Sequence, residues 1–176
     1  MGDLQSNLEQ IKSREGFLEK IKRYIPGYDG YVNKDNSREL DTILRNQLAT
    51  GLELNKPKIK NAVLNLSHNK KLFETQDIDK LDKKNESAIA KFRSAARGYS
   101  GAFDVVKIDA GKLNMIYDFD ASLLANVQEV GNLFSELETN SATNTDVRDS
   151  IIKISASLDN LLKKFDERES TLRSFS

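Results

Sequence analysis

Apolar residues recur every three or four positions along almost the whole chain, and alternating β-branched runs are nearly absent, so the pattern predicts an all-α fold. Leu4, Leu8, Ile11, Leu18 and Ile21 mark a first stripe from about Asp3 to Ile25, closed by the turn residues of "PGYDGYVNKD". A second helix is expected after Asn36, which is placed to cap it while Glu39 reaches back. It carries Leu40, Ile43, Leu44 and Leu48, passes Gly51 and Pro57, and resumes with Ile59, Val63 and Leu66. Thr75 and Asp77 suit the start of a third helix, with Ile78, Leu81, Ala88, Phe92 and Ala95 facing inward and Gly98 as its stop.

Leu113, Ile116, Leu123, Val127, Val130, Phe134 and Leu137 define a fourth helix from about Ala110 to Glu138 with a coiled-coil-like seam. After "NSATNTD", Thr143 and Asp146 read as a capping box for a fifth helix. There Val147, Ile151, Ile154, Leu158, Leu161, Phe165 and Leu172 keep a heptad register with one slip at Arg168. The sum is a single-domain antiparallel bundle of about five helices over residues 1–176.

Pro57 decides the topology. Gly51 as a C-terminal residue and Pro57 as a first-turn residue would suit a hairpin break, but a loop there would expose Leu52 and Leu54. A kinked continuous second helix is therefore expected, and with it the G-Y-x-G loops "PGYDGY" and "RGYSGAF" at one end of the bundle. These loops hold Gly27, Tyr28, Gly30 and Tyr31 in the first, and Gly98, Tyr99 and Gly101 in the second. Glycine on both sides of each Tyr-x pair implies backbone angles that glycine takes at least cost. The tyrosines either fold back as a lid over the bundle end or form a paired aromatic binding surface.

The segments "YIPGYDGYVNKDNSRELDTILRNQLA" and "GYSGAFDVVKIDAGKLNMIYDFDASLL" resemble the two signature stretches of a family of uncharacterised bacterial and archaeal helical proteins: I-P-G-Y-x-G-Y, then G-Y-x-G-x-F-D-x-x-K with Y-x-F-D. The resemblance implies a helical bundle with a long second helix and no assigned activity.

Two polar residues fall on apolar seams, Asn85 in the third helix and Asp120 in the fourth, and both should point inward. A buried carboxylate needs a partner, so Asp120 predicts a nearby arginine, lysine, tyrosine hydroxyl or backbone donor, and a structural pair fixing register is favoured over a tuned acid. Around it lie Asp104, Lys107, Asp109, Tyr117 and Asp118, with Asp109 best placed as a helix cap. The acids lack EF-hand spacing, and no metal site is expected.

Other chemistry is excluded by composition. The chain has 176 residues, no cysteine and one histidine, His68, with Asn65 where a di-metal bundle would need glutamate. No Ser/His/Asp pattern or phosphate loop is present, no cofactor is expected, and His68 reads as a solvated residue. Charge is balanced at 27 basic and 27 acidic residues, so an anionic partner would have to be met locally. The candidate is Lys56, Lys58, Lys60, Lys70 and Lys71, a run without acids, for which neutralisation by Glu129, Glu136, Glu138, Asp146 and Asp149 is favoured over nucleic acid or an anionic membrane surface.

The absence of cysteine, of an apolar leader and of a membrane-length span favours a cytoplasmic protein. The expected function is a non-enzymatic interaction module with a protein partner, acting through the Gly-Tyr end or the long heptad helix, which could also support a homo-oligomer. The alternative is a small-ligand binder or enzyme with Asp104, Lys107, Asp118 and Asp120 in a tyrosine-walled pocket.

Overall fold

The computed structural model describes residues 12, 14–31, 34–94 and 110–174, less the side chains of residues 34–36 and 110. The fold is all-α, and no strand occurs among the described residues. Its helices are α1 (residues 14–22), α2 (Lys34–Glu53), α3 (Lys56–His68), α4 (Leu72–Ser94), α5 (Ala110–Ala142) and α6 (Arg148–Ser174).

Several boundaries differ from the sequence pattern for local reasons. The first helix ends at residue 22 and Ile25 lies in the turn that follows. The second starts at Lys34, so Asn36 is within it rather than capping it. The fourth begins at Leu72, where Thr75 bonds back to the Lys71 carbonyl (3.0 Å) instead of capping. Thr143 is likewise occupied with the Thr139 carbonyl, and Asp146 alone receives the Arg148 N–H (3.0 Å) at the start of α6.

The bend at Pro57 keeps its direction. The helix is interrupted at Leu54 and Asn55, whose N–H groups bond to the Thr50 (3.3 Å) and Leu52 (3.1 Å) carbonyls, and Asn55 keeps helical angles (φ −80°, ψ −23°). Pro57 sits in the first turn of α3, where its missing N–H costs no helical bond. Moving along α2 and α3, Gly51 meets Val127, Lys58 meets Gly131, Asn61 meets Glu138 and Asn65 meets Ser141, each further along α5 than the last. The two segments therefore form one bent rod parallel to α5. Asn85, the polar residue on the α4 seam, is fully buried at the bend, where its Nδ2 donates to the Leu52 carbonyl (3.1 Å) and its Oδ1 accepts from Asn55 (3.3 Å).

Helix α4 runs back along the rod, fixed by ion pairs between Arg93 and Glu53 and between Lys56 and Glu86. Helix α6 runs antiparallel to α5, from the Asn140–Ser150 bond at one end to the Lys164–Ser122 bond towards the other. Leu44, Leu48, Phe92, Phe134, Leu158 and Phe165 are buried between them. Helix α1 lies against α5 and runs in its sense, with Arg14 over the Tyr117 ring (5.8 Å) and, just past its end, Arg23 and Tyr24 lining one groove with Gln47 and Leu124. Residues 25–31 then return along the same flank to Tyr117.

Gly51 is not a helix stop. A Cβ there would stand 2.5 Å from Val127 Cγ1, so the glycine is what lets α2 and α5 approach. Because valine is stiff about χ1, Gly51→Ala is expected to cost about 1–3 kcal/mol. At Gly131, also helical, a Cβ would meet only Asn55 Oδ1 (3.7 Å) and Lys58 Nζ (3.9 Å), and Gly131→Ala should gain about 0.5–1 kcal/mol. Urea unfolding of the two variants should thus move in opposite directions from wild type.

Candidate functional site

The first glycine loop is built around two left-handed residues, Gly27 (φ 81°) and Gly30 (φ 83°), which bring Tyr28 and Tyr31 inward. Tyr28 is fully buried and Tyr31 is 3 % exposed, so the open aromatic surface considered for them is instead an internal cluster. Tyr31 stands edge-on to Tyr28 (centroids 6.0 Å) and stacks on Tyr117 (5.5 Å). The Tyr31 N–H donates to the Tyr117 hydroxyl (2.8 Å). The loop hydroxyls reach Asp120 rather than backbone, with Tyr31 at 2.5 Å and Tyr28 at 3.3 Å from Oδ2.

Asp120 is fully buried and its charge is met from α6. Arg168 Nε donates to Asp120 Oδ1 (2.5 Å) and Nη2 to the Tyr31 hydroxyl (3.0 Å). The slip in the α6 heptad register is thus the partner that Asp120 requires. The same guanidinium lies 3.0 Å from Glu169 Oε1 and 2.8 Å from Asp41 Oδ1, the latter contact being off the N–H direction and therefore ionic rather than an aligned hydrogen bond. Arg45 continues the network to Asp41 (2.7 Å) and Glu169 (2.6 Å) and lies over the Phe165 ring (5.0 Å). Sequence reasoning missed Asp41, Arg45 and Glu169. The available signal was the four-residue spacing of Ser37, Asp41 and Arg45, which puts a polar stripe on an inward helix face.

The electrostatics follow from burial. Burial, then the neighbouring Tyr31 and Asp120, pushes the Tyr28 hydroxyl far above its ordinary range, and burial with Asp120 does the same to Tyr31. Burial also outweighs the pull of Arg168 on Asp120 and raises its carboxyl. For Asp41 burial again opposes the charge, but Arg168 and Arg45 together outweigh it and hold the carboxyl below the ordinary range. A lowered folded value means that the native state binds fewer protons than the unfolded chain. The Asp41 contribution is then present above the ordinary carboxylate range, about pH 4, and lost as pH falls through the lowered value. Asp120, being raised, contributes with the opposite sign: its share is present below that range and lost as pH rises through the raised value. Thermal melts should show the stability gap between wild type and Asp41→Asn narrowing on acidification below about pH 4. A gap that stays constant would contradict this placement.

Of the other residues the sequence singled out, Asp118 is exposed on α5 and His68 is exposed at the end of α3. Gly98, Tyr99, Gly101, Asp104, Lys107 and Asp109 lie outside the described residues. The acidic stretch after Glu129 does not form ion pairs with the lysine run: Lys56 pairs with Glu86 of α4 (2.8 Å), Lys58 donates to the Gly131 carbonyl (2.8 Å), and Lys71 to the Asn144 carbonyl (3.5 Å). Lys60 and Lys70 are exposed. No cluster of three or more metal-ligating side chains occurs among the described residues.

A groove of about 640 Å³ opens where α1 ends, between the α2–α3 bend and α5. Leu124, Val127, Gly51 and Gly131 line it with apolar or bare backbone surface. It does not reach Asp120. No helix among the described residues is long and apolar enough to cross a membrane. Comparison with protein-family models, with curated proteins and with solved structures finds no match.

Proposed function

We propose that the chain is a cytoplasmic, non-enzymatic interaction module, with the Tyr28–Tyr31 loop as a structural clamp. The observation that carries this reading is the closure of the Asp120 cluster. Asp120, Tyr28 and Tyr117 are fully buried; Asp120 is occupied with Tyr28, Tyr31 and Arg168, and the Tyr117 hydroxyl with the Tyr31 N–H. A general acid has to reach a substrate, and a buried carboxylate held by arginine and tyrosine is instead a fixed point for packing. The groove at the bend, by contrast, is walled by amides, two cations, Tyr24 and apolar groups without a nucleophile–base pair. Rigid helices around such a groove suit recognition of another chain.

The test is the state of the protein at its natural level in an extract of its own cells. Size-exclusion chromatography with mild cross-linking should place it in a complex with a different protein. Elution as a free monomer, unchanged by cross-linking, would defeat the proposal.

A further inference from the structure

The groove at the bend carries positive charge that no carboxylate of its described lining balances, and its Lys58 is held by the Gly131 carbonyl (2.8 Å) rather than by an acid. Its two ionisable cations are Arg23, from the turn after α1, and Lys58, from the first turn of α3, and no carboxylate lines it among the described residues. Helix α3 begins at this groove with no acid in its first turn and no side-chain cap, although the start of a helix carries partial positive charge. Two lysines, Lys56 and Lys58, stand in that turn, and among the described residues Lys56 alone is paired with an acid, Glu86. The site is therefore electropositive, with no offsetting acid in its lining among the described residues.

A second observation is independent of charge. Asn55 is fully buried, and its amide is oriented by the Asn85 bond to Nδ2. Its Oδ1 has no hydrogen-bond partner among the described residues. That oxygen lies 3.7 Å from the point where a side chain at residue 131 would begin, and Gly131 has none, so the space above the glycine leads from the groove to Asn55 Oδ1 and Lys58 Nζ. A buried acceptor left without a donor is unfavourable, and a donor entering from the groove would relieve it.

Resting on the interaction-module reading, we propose that this groove docks an acidic peptide segment of a partner protein, with a carboxylate towards Arg23, Lys58 and the start of α3 and a main-chain N–H towards Asn55 Oδ1. A main chain supplies donors and acceptors in alternation, which matches the side-chain amides of Gln47, Asn55, Gln128 and Asn132 around the groove. The apolar floor and Leu54 at the rim, 65 % exposed, accommodate an aliphatic side chain next to the acid. Nucleic acid fits less well, because a phosphate backbone needs a track of cations and a series of stacking aromatics, whereas this groove offers two cations, one tyrosine, Tyr24, and a ring of amides. A membrane surface is flat where this site is concave.

The experiment is selection from a displayed library of random linear peptides on the full chain, followed by fluorescence-polarisation binding of the enriched peptides. Wild type is compared with Lys58→Glu and Gly131→Leu, each first checked for an unchanged helical spectrum. Enriched peptides should be net acidic, bind more weakly as salt is raised, and lose about tenfold or more in affinity in Lys58→Glu, with a comparable loss where Gly131→Leu fills the space. If Gly131→Leu does not fold, Lys58→Glu alone decides. Absence of enrichment, enrichment of neutral or basic sequences, or binding indifferent to Lys58→Glu overturns the proposal. Retention on phosphatidylserine vesicles that Lys58→Glu abolishes, without peptide binding, also overturns it and gives the groove to a membrane. Peptides that bind elsewhere, or a heteromeric complex in the native extract without groove binding, would leave the module reading standing while this one falls.

Discussion

Arg168→Leu is expected to destabilise the protein by about 3–5 kcal/mol, a large part of the 5–15 kcal/mol that holds an ordinary domain together. The guanidinium is fully buried and contacts Asp120, Asp41, Glu169 and the Tyr31 hydroxyl. Leucine removes the cation and leaves Asp120 in the interior with only tyrosine donors, while Asp41 and Glu169 share Arg45. Glu169 Oε2 and Arg45 Nη1 already lack hydrogen-bond partners among the described residues, so the network has little reserve. Urea unfolding measures the loss directly, and Asp118→Ala, on the exposed side of the same helix as Asp120, serves as control with an effect within about 0.5 kcal/mol. The double variant Asp120→Asn, Arg168→Leu should be less unstable than the sum of its single variants, because each alone leaves a charge that the other variant removes. A loss below about 1 kcal/mol for Arg168→Leu would mean that the network does not support the fold.

What the sequence made legible here is the inward direction of single residues, and what it hid is how they meet. Asp120 and Asn85 were readable because each interrupts an apolar seam of known period, and a donor for Asp120 was required by the cost of burying a carboxylate. Arg168 was visible only as a fault in the α6 register. Nothing local ties it to a carboxylate 48 residues earlier or to a tyrosine hydroxyl 137 residues earlier. Arg45 looked like any basic residue of an amphipathic helix, since its burial depends on Phe165 and Glu169 of another helix. The bend was legible from Pro57, but its position was set by the Leu52 carbonyl, which Asn85 satisfies across the bundle. Gly51 was ambiguous for the same reason: a glycine that ends a helix and one that admits a neighbour look alike until Val127 is in place. The course of residues 25–31 back along α1 likewise depends on Tyr117 and Asp120, which no turn residue specifies.

Gly30→Ala is expected to cost about 3 kcal/mol, against about 1 kcal/mol for Gly27→Ala, although the two glycines have nearly the same backbone angle (φ 83° and 81°). Both substitutions incur the left-handed penalty of an L-residue, about 1–2 kcal/mol. At Gly27 nothing lies within 4 Å of the added Cβ, so the backbone penalty is the whole effect. At Gly30 the Cβ would stand 2.5 Å from the Tyr117 hydroxyl and 3.0 Å from Leu18 Cδ2. The Tyr117 hydroxyl has little freedom to retreat, since it accepts the Tyr31 N–H at 2.8 Å and its ring is stacked on Tyr31. Moving it leaves a buried N–H without its partner and displaces the tyrosine that donates to Asp120, so the damage passes from the loop into the ion network. Leu18 ties the same point to α1, and tyrosine fluorescence, which follows the loop, should then change at lower urea than far-ultraviolet circular dichroism in Gly30→Ala. In Gly27→Ala the two signals should stay together. Equal losses in the two variants would show that the glycines serve only the turn, and that the close contact of Gly30 with Tyr117 does not hold the loop in place.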